Sequence, residues 1–420
     1  MKLIHNLSAI CATALVLAAC APAATPAPKP TEAPKPTAAP TQAPAPTAAP
    51  KPTDVPKPTD APKPTDVPKP TAVPATATPS APQPLVVDKA KLTKQLNIYS
   101  WSNYFKDSLV KAFEKEYGVK VKIDTYEQNE EMYAKFKAGG NPGYDIIVPT
   151  DYMAAKMIKE ALVEKMNYEN IPNIANVDPA LRALNYDPKG ENVIPFFWGT
   201  TGFAYDTSKV KRELTSWKDV LEAEKDLQGR IAMLADPREA LSAALRFKGY
   251  SSNTSDAKQI EEAKKVLIAQ KQSIKAYQDS PENAKLLLNG QVWVAQVYTG
   301  DAIQVMREKA TLKYVVPNDV STVWVDNIAI PKGVKNRYTA EVFINYMLDA
   351  KVGGENANET GAPSSNMAAV KNGLIDKDLL SNPAVYVDVA KMGKKLELLE
   401  VQDAKTEELF DKAWTEIGVK

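Results

Sequence analysis

Carboxylates and aromatic rings recur side by side in this chain, each time where a strand-like run ends. Trp101 stands with Ser102, Asn103 and Tyr104, Thr150 with Tyr152, Asp236 with Glu239, Tyr298 with Asp301, and Trp324 with Asp326. The run from Val323 to Pro331 has the β-branched, apolar composition and closing proline of a buried strand. An isolated carboxylate there is costly unless something partners it. Asp326 therefore either has a permanent partner in the fold or awaits one from outside. Ring faces attract an ammonium group by roughly 0.5–2 kcal/mol each and cover its methylenes. A hydrogen bond to a charged group contributes about 1.5–3 kcal/mol. This set of side chains suits an organic cation with an apolar linker, and a few contacts of each kind reach micromolar affinity, about −8 kcal/mol, after ordering costs.

Other chemistries lack their residues. The one histidine is His5 and the two cysteines are Cys11 and Cys20. Everything after residue 20 is thus without an imidazole base, a thiol nucleophile or a disulfide, and no zinc site can be drawn. No Walker-type phosphate loop is present either. A formal net charge of +1 gives no basic field for nucleic acid. No cofactor and no metal are implied. Paired carboxylates beside rings also fit a secreted carboxylate enzyme, which stands as a remote alternative.

The elements that must position these residues begin late in the chain. Residues 1–20 have a short polar start, an apolar run from Leu7 to Leu17 and a small-residue ending, which makes a secretion signal too short to span a bilayer. Its end, Leu17-Ala18-Ala19-Cys20, resembles the bacterial lipobox, in which the cysteine is lipidated and becomes the mature N-terminus. An ordinary signal peptide with a chance cysteine is the other reading. Residues 21–91 are rich in Pro, Thr and Lys, and 21 of the 33 prolines fall between residues 21 and 84, so neither a helix nor a sheet ladder is expected. The six-residue repeat from Lys51 reads as a disordered, polyproline-like stalk of at most about 3.1 Å per residue, on the order of 200 Å when stretched. A Pro-rich ligand for a partner is the alternative, and only the repetition supports it.

From residue 92 onward the length suffices for two lobes with their own cores. Leu96–Trp101, Val119–Thr125 and Tyr144–Pro149 read as strands, with helices over Lys106–Tyr117 and Asn129–Ala138 between them. The aromatic run Phe197–Gly202 is expected to follow a strand, with the pattern restarting at Phe203. Arg230–Leu234 reads as a strand running into a helix that Asp236 caps, with Glu239 placed to close a capping box. A further strand ends at Tyr298, a helix spans Thr339–Asp349, and a helical tail ends at Trp414. Alternating strands and helices give a mainly parallel α/β sheet, whose ligands sit beyond the carboxyl ends of its strands.

From Leu96 to Lys420 the chain resembles the bacterial extracellular solute-binding proteins of spermidine/putrescine ABC importers. The matching segments include Tyr99-Ser-Trp-Ser-Asn-Tyr104, Thr125–Lys135, Tyr144–Thr150, Ile194–Gly199, Asp236-Pro-Arg-Glu239, Tyr298-Thr-Gly-Asp301, Trp324-Val-Asp326 and Gly361–Asn366. The resemblance implies a two-lobed, type II periplasmic-binding-protein-like α/β fold, with the ligand cleft between lobes joined by crossing hinge strands. One lobe is expected over 92–203 with 325–375, the other over 204–324 with 376–420. Asp236, Glu239, Asp301 and Asp326 match the acids that hold amine ends. Trp101, Tyr298 and Trp324 match aromatic walls, and Ser102, Thr150 and Tyr152 match the lining, beside Asn103 and Tyr104. Asn103 stands where an acid is usual and Ala362 where a ring is common. The implied function is an extracytoplasmic receptor that captures putrescine or spermidine and hands it to the permease of an ABC importer. It is expected to be monomeric and anchored to the membrane by lipid at Cys20. Another small organic cation or metabolite on the same fold is the alternative.

Overall fold

The computed structural model describes residues 84–387 and 396–418. The expected signal peptide, Cys20 and the stalk as far as residue 83 lie outside the described residues.

The first lobe is built around β1 (Gln95–Ser100), whose Leu96, Ile98 and Tyr99 are fully buried. α1 (Asp107–Tyr117) packs Leu109, Val110 and Phe113 inward and stops at Gly118, whose φ of 69° is the left-handed conformation a helix end most easily adopts with glycine. β2 (Lys120–Thr125), α2 (Asn129–Gly139), β3 (Ile146–Ile147), α3 (Asp151–Lys159) and the short α4 (Pro179–Arg182) complete its first part. β4 (Val193–Asp206) then leaves the lobe, buried along nearly all of its 14 residues.

The second lobe holds α5 (Trp217–Leu221), β5 (Ile231–Leu234), α6 (Pro237–Phe247), α7 (Ala257–Gln270), β6 (Ile274–Gln278), α8 (Ser280–Leu288), β7 (Val294–Tyr298), α9 (Thr299–Glu308) and β8 (Leu312–Val315). β9 (Ser321–Ala329) returns to the first lobe. There α10 (Arg337–Met347), α11 (Ala350–Thr360), α12 (Met367–Lys371) and α13 (Lys377–Leu380) follow. β10 (Leu396–Leu398) pairs with the start of β9, and α14 (Ala404–Ile417) packs Phe410, Ala413 and Ile417 into the second lobe's core.

One sheet in the order β2-β1-β3-β9-β4-β7-β5-β6 runs through both lobes. β1 is parallel to β2 and β3, and β5 is parallel to β6 and β7. β4 joins these two parallel sets. Its first half pairs antiparallel with β9 from Val193 to Thr200, and its second half with β7 from Thr201 to Tyr205 and with β8 from Phe203 to Asp206. Apolar layers cover both faces of each half: Phe113, Ile328 and Phe343 lie in one first-lobe layer and Tyr99, Met132 and Met157 in the other. In the second lobe Trp217, Leu241 and Phe410 face Ala295, Leu287 and Tyr314 across the sheet.

Several expectations change. Phe197–Gly202 does not follow a strand but lies inside β4, because its backbone passes directly from the β9 ladder to the β7 ladder. Residues 85–91, expected in the stalk, join the first lobe. Leu85 and Val87 pack on its core, and Asp88 N donates to the Tyr338 hydroxyl at 2.9 Å. Residues 376–387, expected with the second lobe, send Leu379 and Val385 into the first core. The tail helix runs three residues beyond Trp414 to Ile417. Asp236 does cap α6, accepting from Glu239 N at 3.0 Å, but the Glu239 carboxylate turns away from the cap and no capping box forms.

Candidate functional site

A cavity of about 740 Å³ lies where the two halves of the sheet meet, within the range of small-molecule sites. The loops beyond the carboxyl ends of β1, β2, β3, β5, β6 and β7 all reach it, with the middle of β9 as its floor. All twelve residues singled out in the sequence line it: Trp101, Ser102, Asn103 and Tyr104 after β1, Thr150 and Tyr152 at the start of α3, Asp236 and Glu239 at the start of α6, Tyr298 and Asp301 at the β7–α9 junction, and Trp324 and Asp326 on β9. Ala362 is there too. Trp198, on the same strand as Gly199, is not; its ring packs edge-on against Tyr386, 6.0 Å away.

Among the described residues Asp326 has local donors but no cation. Its Oδ1 accepts from Thr150 Oγ1 at 2.7 Å and its Oδ2 from the Tyr104 hydroxyl. Burial outweighs these two hydrogen bonds and pushes its carboxyl up to about 6. Across the cavity Glu239 is fixed by the two crossing strands. Thr201 Oγ1 of β4 donates to its Oε1 at 3.0 Å, and Thr322 Oγ1 of β9 to its Oε2 at 2.7 Å. Burial, followed by the neighbouring Asp236, lifts Glu239 to about 7. Burial also raises Asp236, against the backbone N–H groups of Glu239 and Arg238 that favour its charged form. Asp301, in the first turn of α9, is raised to about 6 by burial against a hydrogen bond to Ser280. Ser280 is held in turn, for its Oγ accepts from Tyr298 N at 2.9 Å. Among the described residues none of these four acids has an ion-pair partner.

The rings are placed as tightly. Trp324 lies across the strand opposite it, where Gly199 is its register partner. A Cβ on Gly199 would stand 2.5 Å from Trp324 Cζ2, so only glycine lets the indole lie there. Tyr298 meets the same indole edge-on at 5.9 Å. Trp101 packs at 4.5 Å on Tyr126. Asn103 holds a φ of 59°, a left-handed turn that asparagine tolerates better than most residues. The Tyr152 hydroxyl donates to Glu130 Oε1 at 3.0 Å and accepts from Asn129 Nδ2 at 3.1 Å.

The sequence reading missed Tyr126, Glu127 and Asn129 after β2, and Asp279 and Ser280 after β6, all of which line the cavity. The signal for them was the one used elsewhere: polar residues directly beyond a parallel strand. β6 itself went unread because its Ile274-Lys-Ala-Tyr-Gln278 is only partly buried and short of apolar residues. A charged mouth was missed as well, where Lys106 pairs with Glu355 at 3.1 Å and Glu359 at 3.5 Å.

Two half-sheets sharing crossing strands, with an acid-tipped and ring-walled cavity between them, define a solute-binding receptor. Residues 108–384 match the model of the family described as bacterial extracellular solute-binding protein. Over 321 residues the chain is 33% identical to the spermidine/putrescine-binding periplasmic protein of Salmonella typhimurium, covering 76% of this chain and 90% of that protein. It is 32% identical to the putrescine-binding periplasmic protein SpuD of Pseudomonas aeruginosa, covering 77% and 92%. Among solved structures, a putative spermidine/putrescine ABC transporter protein of Listeria monocytogenes superposes with a TM-score of 0.73 at 30% identity, covering 77% of this chain and 99% of that one. The Tp0655 (TpPotD) lipoprotein of Treponema pallidum gives 0.68 at 29% identity, covering 77% and 99%. The chain belongs to the bacterial extracellular solute-binding protein family. It is an extracytoplasmic binding protein of solute transport, not an enzyme.

Proposed function

We propose that the cavity binds a polyamine, putrescine or spermidine, which the protein delivers to the permease of an ABC importer. The observation that carries this reading is the set of four cavity acids, Glu239 and Asp326 buried and Asp236 and Asp301 half-buried, without ion-pair partners among the described residues and walled by Trp101, Tyr298 and Trp324. Uncompensated buried carboxylates are costly, and a flexible chain of methylenes with an ammonium group at each end satisfies acids and rings together. The names of the relatives point to the same ligands. In this reading Asp326 holds one amine end and Asp236, Glu239 and Asp301 hold the other, with the rings covering the linker. The protein works as a monomer, tethered by acyl chains on Cys20; Cys20→Ala would release it from the membrane fraction.

The test is twofold. Small molecules released by denaturing the purified protein are identified by mass spectrometry, and the stripped protein is melted with putrescine and with spermidine. Binding raises the melting temperature through RT ln(1 + [L]/Kd). No shift with either amine at millimolar concentration would sink the proposal. One observation favours a variant of it: the indole N–H groups of Trp101 and Trp324 are buried without an acceptor. An amine that also bears an oxygen acceptor would satisfy one of them, and N-acetylputrescine in the same melt, outshifting putrescine, would establish that preference.

A further inference from the structure

The turn from Trp101 to Lys106 lines the cavity along its whole length, yet little within the turn fixes its shape. Phe105 anchors its far end in the first-lobe core, against Phe196 at 5.6 Å and Phe343 at 5.7 Å. Before it, Ser102 and Asn103 are exposed, and Asn103 holds its left-handed φ of 59°. α1 starts directly after the turn with Lys106 as its N-cap, whose side chain makes no capping hydrogen bond. Leu109, three positions on, has no side-chain acceptor to return to the Lys106 N–H, as a capping box would.

The missing contacts come from another helix. Asn356 of α11 is fully buried and does not line the cavity. Its Oδ1 accepts from Lys106 N at 2.8 Å, and its Nδ2 donates to the carbonyl of Tyr104 at 3.0 Å. One side chain thus bridges the main chain on both sides of Phe105. An amide suits this because it carries an acceptor and a donor on one planar group, whereas a carboxylate would set an oxygen against the Tyr104 carbonyl. Among the described residues no other hydrogen bond reaches the main chain of residues 102–105. Without Asn356 the Lys106 N–H and the Tyr104 carbonyl find partners only in water, which draws the turn outward. Tyr104 has the most to lose, since its hydroxyl donates to Asp326 and its ring meets Phe197 edge-on at 5.5 Å.

We propose that Asn356 is a positioning residue for ligand capture: from outside the cavity it holds Ser102, Asn103 and Tyr104 in the arrangement that meets the ligand. Two ordinary hydrogen bonds together favour the set turn by roughly tenfold or more. A site that is competent about one-tenth of the time binds about tenfold more weakly.

The ligand in this proposal rests on the polyamine reading, but the order of the turn is measurable without one. Hydrogen exchange of the empty protein, read by mass spectrometry, is compared in the wild type, N356A, N356D and N345A. The Kd for spermidine is measured calorimetrically, well below the melting temperature. N356A should exchange faster over residues 101–110 alone, beginning with the Lys106 amide, and should bind spermidine about tenfold more weakly. N345A is the control: Asn345 of α10, in the same lobe, accepts from Asn173 N at 2.9 Å in the same manner, away from the cavity. It should lower the melting temperature and leave the Kd unchanged. Should N356A not fold, N356D decides, because it keeps the acceptor for Lys106 N and loses the donor to Tyr104; it too should loosen the turn and weaken binding. Faster exchange with an unchanged Kd means that Asn356 only stabilises the fold and overturns the proposal. So does equal weakening in N345A, or exchange raised throughout the lobe. Unchanged exchange overturns the clamp itself, whatever the ligand. A wild type that binds neither spermidine nor putrescine overturns the polyamine reading, and the capture role with it.

Discussion

Replacing Asp326 by Asn should stabilise the empty protein and abolish ligand binding. Burial raises this carboxyl from its ordinary 3.8 to about 6, and that value already includes the hydrogen bonds from Tyr104 and Thr150. A shift of that size is worth about 3 kcal/mol of lost stability once the group is ionised in both the folded and unfolded states. The sign follows from the direction. A carboxyl raised in the folded state contributes its full stability below pH 4 and loses it as pH climbs through 6. Asparagine does not titrate, so the advantage of the variant should be absent near pH 4 and complete by pH 8. For a fold of this size it amounts to an increase in Tm of about 4 °C. With ligand the order reverses, because removing one side of a buried charged contact costs about 2–5 kcal/mol. Melting curves from pH 4 to 8, with and without spermidine, read both effects. A variant that melts no higher than wild type at pH 8 without ligand would refute the reasoning about burial. One that still gains stability from spermidine would refute the role given to Asp326.

Gly199→Ala should keep the fold but displace the Trp324 indole, whose Cζ2 a new Cβ would approach to 2.5 Å. Overpacking of this kind costs about 1–3 kcal/mol, and a weakening of ligand binding by less than about fivefold, with unchanged circular dichroism, would count against Trp324 as a wall of the site. Binding should also release protons between pH 6 and 7, because a cation favours the charged forms of Glu239, raised to about 7, and of Asp301 and Asp326, raised to about 6. Affinity then rises with pH toward 8; identical calorimetric heats in two buffers of different ionisation enthalpy would show that no proton moves.

The site was more legible in the sequence than the fold that holds it. Apart from Trp324 and Asp326, which lie within β9, the site residues stand at or just beyond strand ends, and the carboxyl ends of a parallel α/β sheet converge on one place, so Thr150, Asp236 and Tyr298 could be grouped without knowing which strands are neighbours. Strand order was not readable, since it depends on long-range pairings such as Gly199 with Trp324 that leave no local periodicity. The continuity of β4 was hidden for a related reason: Trp198, Gly199 and Gly202 look like a break, but both glycines give room to neighbouring strands, to the Trp324 indole in one case and to the Val315 carbonyl and Tyr314 hydroxyl of β8 in the other. Residues 85–91 looked like stalk because prolines precede them, although Leu85 and Val87 already belong to the core. Glu239 was read as a cap partner from its spacing to Asp236. Two threonines brought in by β4 and β9 compete for its carboxylate and hold it.

The two crossing strands therefore do more than join the lobes. Asp326 is held by first-lobe donors, whereas Asp236 and Asp301 belong to the second lobe and Glu239 is pinned to that lobe's helix by a threonine from each crossing strand. With the lobes together and the cavity empty, like charges from both sides share one poorly solvated space, and they can do so only by taking up protons or moving apart. On the polyamine reading, a guest with a positive charge at each end should turn that opposition into attraction. Any difference in its affinity for open and closed arrangements would then set how far binding shifts the population between them. On that reading, acids left without partners are destabilising for the unliganded protein, and closure should depend on the ligand; small-angle scattering that shows the same dimensions with and without spermidine would refute this.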